Sequence, residues 1–231
     1  MKEFLETFYT YFFTYGGYKD YLTGLKNTAI IAVFGLLIGF LIGCLISTVK
    51  IVPEKNGFLI VVEKICDVYI AVFRGTPMTV QLLLLHFAIF PMIGLDISSV
   101  AEAVIIFGLN SGAYMAEIIR SGINSIDKGQ MEAGRSLGLG FLPTMTLIIL
   151  PQAIKNILPT LGNEFIALIK ETSVVSFIAV VDVTKALKSI ADSTLEYFVP
   201  YIVLALTYLI IVLLITWLIQ VMERRLANDG K

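Results

Sequence analysis

Asn27 to Val49 carries no charged residue. A helix rises about 1.5 Å per residue, so this stretch reaches roughly 34 Å, enough to cross the hydrocarbon of a bilayer with some tilt. Every peptide group inside such a span must be hydrogen-bonded within the protein, and for a lone segment only a helix achieves that. The rest of the sequence is in keeping: hydrophobic residues make up 57% of the 231 and charged ones 15%, more apolar than the core of a soluble domain this long requires. The expected fold is an all-α integral membrane protein of one domain.

Four more apolar stretches bring the expected spans to five. The second is built around Gly75 to Phe90, with an entry as early as Val68 and an end at Pro91 and Asp96. Ala103 to Met115 is the third, ended by Glu117 and Arg120; Pro151 to Ile169 is the fourth and holds Pro159, Asn163 and Glu164; Phe198 to Met222 is the fifth, closed by Glu223, Arg224 and Arg225. Thr172 to Val181 is too short to cross and reads as a re-entrant or surface helix. Residues 1–26 read as an extracytoplasmic interfacial segment: acidic residues and aromatic clusters stand where a signal peptide has a basic head, and the tyrosines suit the headgroup level. The transmembrane domain then covers 27–222, and 223–231 form a tail.

Basic residues set the orientation. Leaving Arg74 aside, ten of them (Lys50, Lys55, Lys64, Arg120, Lys128, Arg135, Lys155, Arg224, Arg225, Lys231) fall on one side of the five spans and six (Lys2, Lys19, Lys26, Lys170, Lys185, Lys188) on the other. The richer side is expected to be cytoplasmic, with the N-terminus outside and the C-terminus inside a bacterial plasma membrane. The net charge of −1 gives no bulk attraction to nucleic acid. Cys44 and Cys66 have neither the number nor the spacing of a disulfide framework or a zinc site and read as packing residues.

Within the cytoplasmic stretch 127–147, polar residues interrupt the apolar text. Asp127 followed by Gln130 suggests a capping box, Glu132 and Arg135 stand at i,i+3, and Gly138 supplies a stop, so a short helix is expected over Lys128 to Leu137. Leu150-Pro151 marks re-entry into the bilayer. Periodicity alone fits equally a docking element and an amphipathic helix lying on the membrane.

The order Glu132-Ala133-Gly134, then Gly138, then Ile148-Ile149-Leu150-Pro151 resembles the EAA loop of ABC importer permeases, with Gly134 in place of the second alanine. That glycine should weaken the helix by roughly 1 kcal/mol or permit closer backbone approach. Phe73-Arg74-Gly75-Thr76-Pro77, Asn110-Ser111-Gly112-Ala113-Tyr114, Ala116-Glu117-Ile118-Ile119-Arg120 and Leu161-Gly162-Asn163-Glu164-Phe165 extend the resemblance to the polar amino acid branch of that family, the type I importer fold. The resemblance implies a second permease copy, identical or related, a separate ATP-binding cassette ATPase, and an extracytoplasmic solute-binding protein. Glu132, Ala133, Gly134, Arg135, Gly138, Leu150 and Pro151 would couple to the ATPase. The chain has no phosphate-binding G-x-x-x-x-G-K-[ST] loop, so ATP and magnesium are expected in that partner, and the chain itself is expected to be no enzyme and to hold no cofactor.

An amino acid is a zwitterion, and its passage through low dielectric needs donors for the carboxylate and an acceptor for the ammonium. Arg74 and Thr76 suggest the first, with Thr76 as N-cap and Pro77 opening a helix; Arg74 reads equally as a boundary charge. Glu164, with Asn163, suggests the second, loosened from its helix by Pro159 and Gly162; the alternative is a structural ion pair with Arg74 or Lys170. Asn110, Ser111 and Tyr114 would add neutral contacts, or serve as interhelical packing. His86 reads as a neutral imidazole among leucines, Glu63, Lys64 and Asp67 as a solvated face, and Lys170 with Glu171 as the outer end of span four. Glu164 favours basic cargo such as arginine, lysine or histidine, with glutamine also compatible. The competing function is an ion-coupled secondary amino acid transporter, which would more often show an inverted repeat.

Overall fold

The computed structural model describes the chain from Lys2 to Asn228. Its helices are α1 (Lys2–Tyr9), α2 (Gly17–Ile51), α3 (Gly57–Gly75), α4 (Met78–Leu84), α5 (Phe90–Met92), α6 (Ser99–Asn124), α7 (Lys128–Ser136), α8 (Phe141–Thr144), α9 (Leu150–Glu171), α10 (Val183–Thr194) and α11 (Phe198–Asn228). Wide π turns occupy Thr10–Thr14, Leu85–Ile89 and Met145–Ile149, and a 3₁₀ stretch occupies Thr172–Ile178. Among the described residues, four helical stretches are long and apolar enough to cross a membrane: Gly17–Ile51, Ser99–Asn124, Phe141–Ile178 and Phe198–Arg225.

The expected second span is not one helix. α3 stops at Gly75, and the apolar piece that follows, Met78–Met92, falls short of that length. Pro77 is the cause: its ring excludes Thr76 from helical backbone, which sits instead at φ −123°, ψ 146°. Proline also accounts for two π turns. Each runs directly into an X-Pro pair, Phe90-Pro91 and Leu150-Pro151, where a missing N–H and a bulky ring make the preceding turn widen.

Other boundaries also move. The first span begins at Gly17, well before Asn27, behind Gly16 at φ +82°. Thr172–Ile178 prolongs α9 with Thr172, Val175 and Ile178 buried, so it is a packed continuation and not a surface or re-entrant helix. α10 was not anticipated; the buried Asp182 caps it by accepting from the Thr184 N–H (3.0 Å) and Lys185 N–H (2.8 Å). The α9 helix runs unbroken through Pro159, and Gly162, expected to loosen it, is instead where Ile219 of α11 packs; an added Cβ would lie 2.6 Å from Ile219 Cδ1.

α2 and α6 form the central pair. Gly35, Gly39 and Gly43 on α2 lie against Phe107, Ser111 and Met115 on α6, and Gly108 and Gly112 on α6 receive Ile38 and Ile42 of α2. Two helices without a hydrophobic force between them gain most by such backbone approach. α11 leans on the outside of the bundle through Gly162 and through the Tyr21–Thr207 hydroxyl pair (2.9 Å). Its remaining apolar face is exposed, as suits a helix bathed in lipid.

Candidate functional site

Arg74 closes α3 at the Pro77 break and turns towards α6. Its guanidinium stands 5.3 Å over the Tyr114 ring, with Nη1 3.7 Å from Glu117 Oε2. The ion pair weighed between Arg74 and Glu164 therefore does not form, and none joins Glu164 to Lys170 among the described residues. Thr76 is not an N-cap: Pro77 holds that place, while the Thr76 hydroxyl donates back to the Val72 carbonyl (2.8 Å). Gln81, which carries part of the sequence resemblance but had no role assigned, stitches the break. Its amide donates to Phe73 O (2.8 Å), Thr76 O (2.9 Å) and Thr76 Oγ1 (2.9 Å), and its carbonyl accepts from Asn110 Nδ2 (2.8 Å). The Asn110 amide is thereby committed to holding α4 on α6.

Glu164 is half-buried, on α9, with the Ser111 hydroxyl of α6 in its neighbourhood. Ser111 Oγ is buried and meets no partner of normal hydrogen-bond geometry, which leaves its capacity open. Asn163 is exposed, in line with Gln152, Asn156 and Thr160 on one exposed face of α9. Arg74, Tyr114, Glu117, Arg120, Ser121, Asn156 and Thr160 line a cavity of about 480 Å³ between α3, α6 and α9. Polar side chains of α3, α6 and α9 thus converge on one cavity.

Several other polar groups have structural partners. Lys50 pairs with Asp67, and Lys55 with Glu63 (2.6 Å), so the expected solvated face is a set of ion pairs pinning the α2–α3 corner. His86 meets the carboxylate of the buried Glu102 rather than standing alone among leucines. Cys44 and Cys66 are free and pack at helix contacts. Lys170 and Glu171 are exposed at the end of α9.

Beyond α6 the chain makes an elbow. Asp127 caps α7 by accepting from the Gly129 N–H (2.7 Å); the reciprocal bond from the Gln130 side chain is absent. At the other end Gly138 takes φ +84°, Gly138 N–H donates to Arg135 O (3.0 Å) and Leu139 N–H to Gly134 O (3.2 Å), a Schellman stop. Glu132, Ala133 and Arg135 are exposed, and no ion pair joins Glu132 to Arg135. Gly134 faces inward instead: an added Cβ would lie 2.6 Å from Thr144 Cγ2. The glycine thus serves close approach of α7 to α8. Gly134→Ala is expected to cost about 1–3 kcal/mol by overpacking, and adding Thr144→Ser, which removes the offending methyl, should restore most of the thermal midpoint of the purified chain. A single variant as stable as the parent would contradict the packing.

Spans that frame a polar cavity, broken at one proline and joined to a rigid, doubly capped elbow, define a membrane transport subunit. The chain belongs to the family of binding-protein-dependent transport system inner membrane components, which matches residues 35–228. It is 41% identical over 206 residues (89% of this chain, 90% of the relative) to a putative glutamine transport system permease protein of Rickettsia bellii. It is 38% identical over 208 residues (90% and 93%) to an arginine transport system permease protein of Bacillus subtilis. Among solved structures, an amino acid ABC transporter with histidines matches at TM-score 0.81 and 40% identity, covering 90% of this chain and 94% of that one.

Proposed function

We propose that this chain is the membrane-spanning permease of an ATP-driven importer of polar amino acids. It works beside a second permease copy, with a separate ATP-binding cassette ATPase that binds ATP and magnesium, and with an extracytoplasmic binding protein. The observation that carries the reading is α7: a short helix stopped at both ends, docked through Gly134, that turns Glu132, Ala133 and Arg135 outward where a motor subunit can grip them. A rigid element of this kind passes a displacement to α6 and α9 on either side of it. α7 and the C-terminus then lie in the cytoplasm and the N-terminus outside, with Met78–Met92 and α3 together as the fifth crossing.

The exposed polar face of α9 supports the second copy. Gln152, Asn156, Thr160 and Asn163 are costly against hydrocarbon, whereas a facing permease makes them the wall of an aqueous path. Along that path Arg74, with Thr76 and Tyr114, would take the cargo carboxylate and Glu164 the ammonium or a cationic side chain. Asn163, Ser111 and the free lone pairs of Asn110 would add neutral bonds. The relatives' names, one glutamine and one arginine, support polar cargo, and Glu164 favours a basic amino acid.

Reconstitution tests the proposal. With its ATPase and binding protein in proteoliposomes, the chain should take up arginine or glutamine only with ATP, and uptake should persist when ion gradients are collapsed. Gradient-driven uptake by the isolated chain refutes it.

A further inference from the structure

The geometry points to Glu117 as a positioning residue that sets the charge of the cavity between α3, α6 and α9, and thereby which cargo charge passes. The inference rests on that cavity being the inner part of the path proposed above. Glu117 is shared unequally. Arg120 holds both of its oxygens, Nε to Oε1 at 3.1 Å and Nη2 to Oε2 at 2.8 Å, whereas Arg74 reaches only Oε2, at 3.7 Å. Such a fork-to-fork bond is the strong one; Arg74 keeps donors to spare, braced from the other side by the Tyr114 ring.

Two guanidiniums against one carboxylate leave the wall with a surplus of one positive charge. Arginine does not shed its proton, so the surplus cannot be removed by titration. Of the other charged groups that act on this triad, Lys50 and Asp67 form an ion pair with each other, and Glu164, which acts on Arg74, lies outside the cavity lining. The rest of the wall, Ser121, Ser125, Asn156 and Thr160 included, is neutral. The surplus therefore attracts a carboxylate to Arg74, while Glu164 stands one helical turn beyond Thr160 to receive the opposite end of a zwitterion. Removing the Glu117 charge doubles the surplus and should turn the cavity against cationic cargo; removing that of Arg74 cancels it.

Charged thiol reagents read this directly. In the complete transporter carrying Cys44→Ala and Cys66→Ala, Thr160→Cys places a probe on the cavity wall, and the rates of an anionic methanethiosulfonate sulfonate and a cationic trimethylammonium analogue are compared in inside-out vesicles. A unit charge about 8 Å away, acting through a dielectric between protein and water, changes such a ratio on the order of tenfold. Glu117→Gln should raise the anionic-to-cationic ratio by about that factor and Arg74→Gln should lower it. With Thr160 restored, ATP-dependent uptake of arginine relative to glutamine should fall in the first variant and rise in the second. Ratios that stay flat, or move in the same direction, overturn the role of Glu117. Should Glu117→Gln fail to assemble, the sign of the Arg74→Gln change decides alone. Absent uptake by the unaltered transporter refutes the importer; a flat ratio with normal uptake refutes only this inference.

Discussion

Gly43→Leu is expected to lower the thermal midpoint of the purified chain by about 10 °C, the shift that roughly 3 kcal/mol produces in a domain of this size. Any side chain at this place starts with a Cβ lodged against Met115 Cβ, with Ala116 N at 2.9 Å behind it. Both obstacles are fixed to the α6 backbone. No rotamer change clears them, so α2 and α6 must part, and the Ser47 hydroxyl loses its 3.0 Å bond to the Ala116 carbonyl as they do. Met115→Ala should give no relief, because the offending atom remains; Met115→Gly should give some. The same substitution at Gly57, where nothing lies within 4 Å, should leave the midpoint within about 2 °C. A Gly43→Leu protein as stable as the parent would mean that the two helices do not meet at these glycines.

The contrast between positions shows what a sequence can disclose. Asp127 and Gly138 were legible because a cap is decided within a turn of its own helix. The break at Pro77 was legible too, for the same local reason, yet its detail was not: whether Thr76 caps α4 depends on Gln81, whose amide takes both Thr76 oxygens from five residues' remove. The spacing of Gly35, Gly39 and Gly43 on α2, and of Gly108 and Gly112 on α6, was present as a small-residue pattern, but spacing does not say which stripe meets which. α10 had its signal in Asp182 and in the apolar set Val183, Leu187 and Ile190, masked by the hydrophilic residues between them. Arg74 finding Glu117 was beyond reach. Partner choice among several distant charges is settled by how α3 lies across α6, which no local rule encodes.

Glu132→Ala is expected to cut ATP-dependent uptake at least about tenfold, the effect of losing roughly 1.4 kcal/mol at an interface, while the chain inserts and unfolds as before. The second half follows from the fold. Glu132 is exposed on α7 and makes no ion pair or side-chain hydrogen bond with another described residue, and alanine is the better helix former, so the chain itself loses nothing. Any loss must therefore arise where the carboxylate meets another subunit. Gly134→Ala makes the opposite test, since its added methyl presses inward on Thr144 and should lower both midpoint and uptake. Uptake that fails in Glu132→Ala at an unchanged midpoint, and fails in Gly134→Ala only as the midpoint falls, identifies α7 as a lever with one face for the partner and one for the bundle. Undiminished uptake after Glu132→Ala would leave the outer face of α7 without that function.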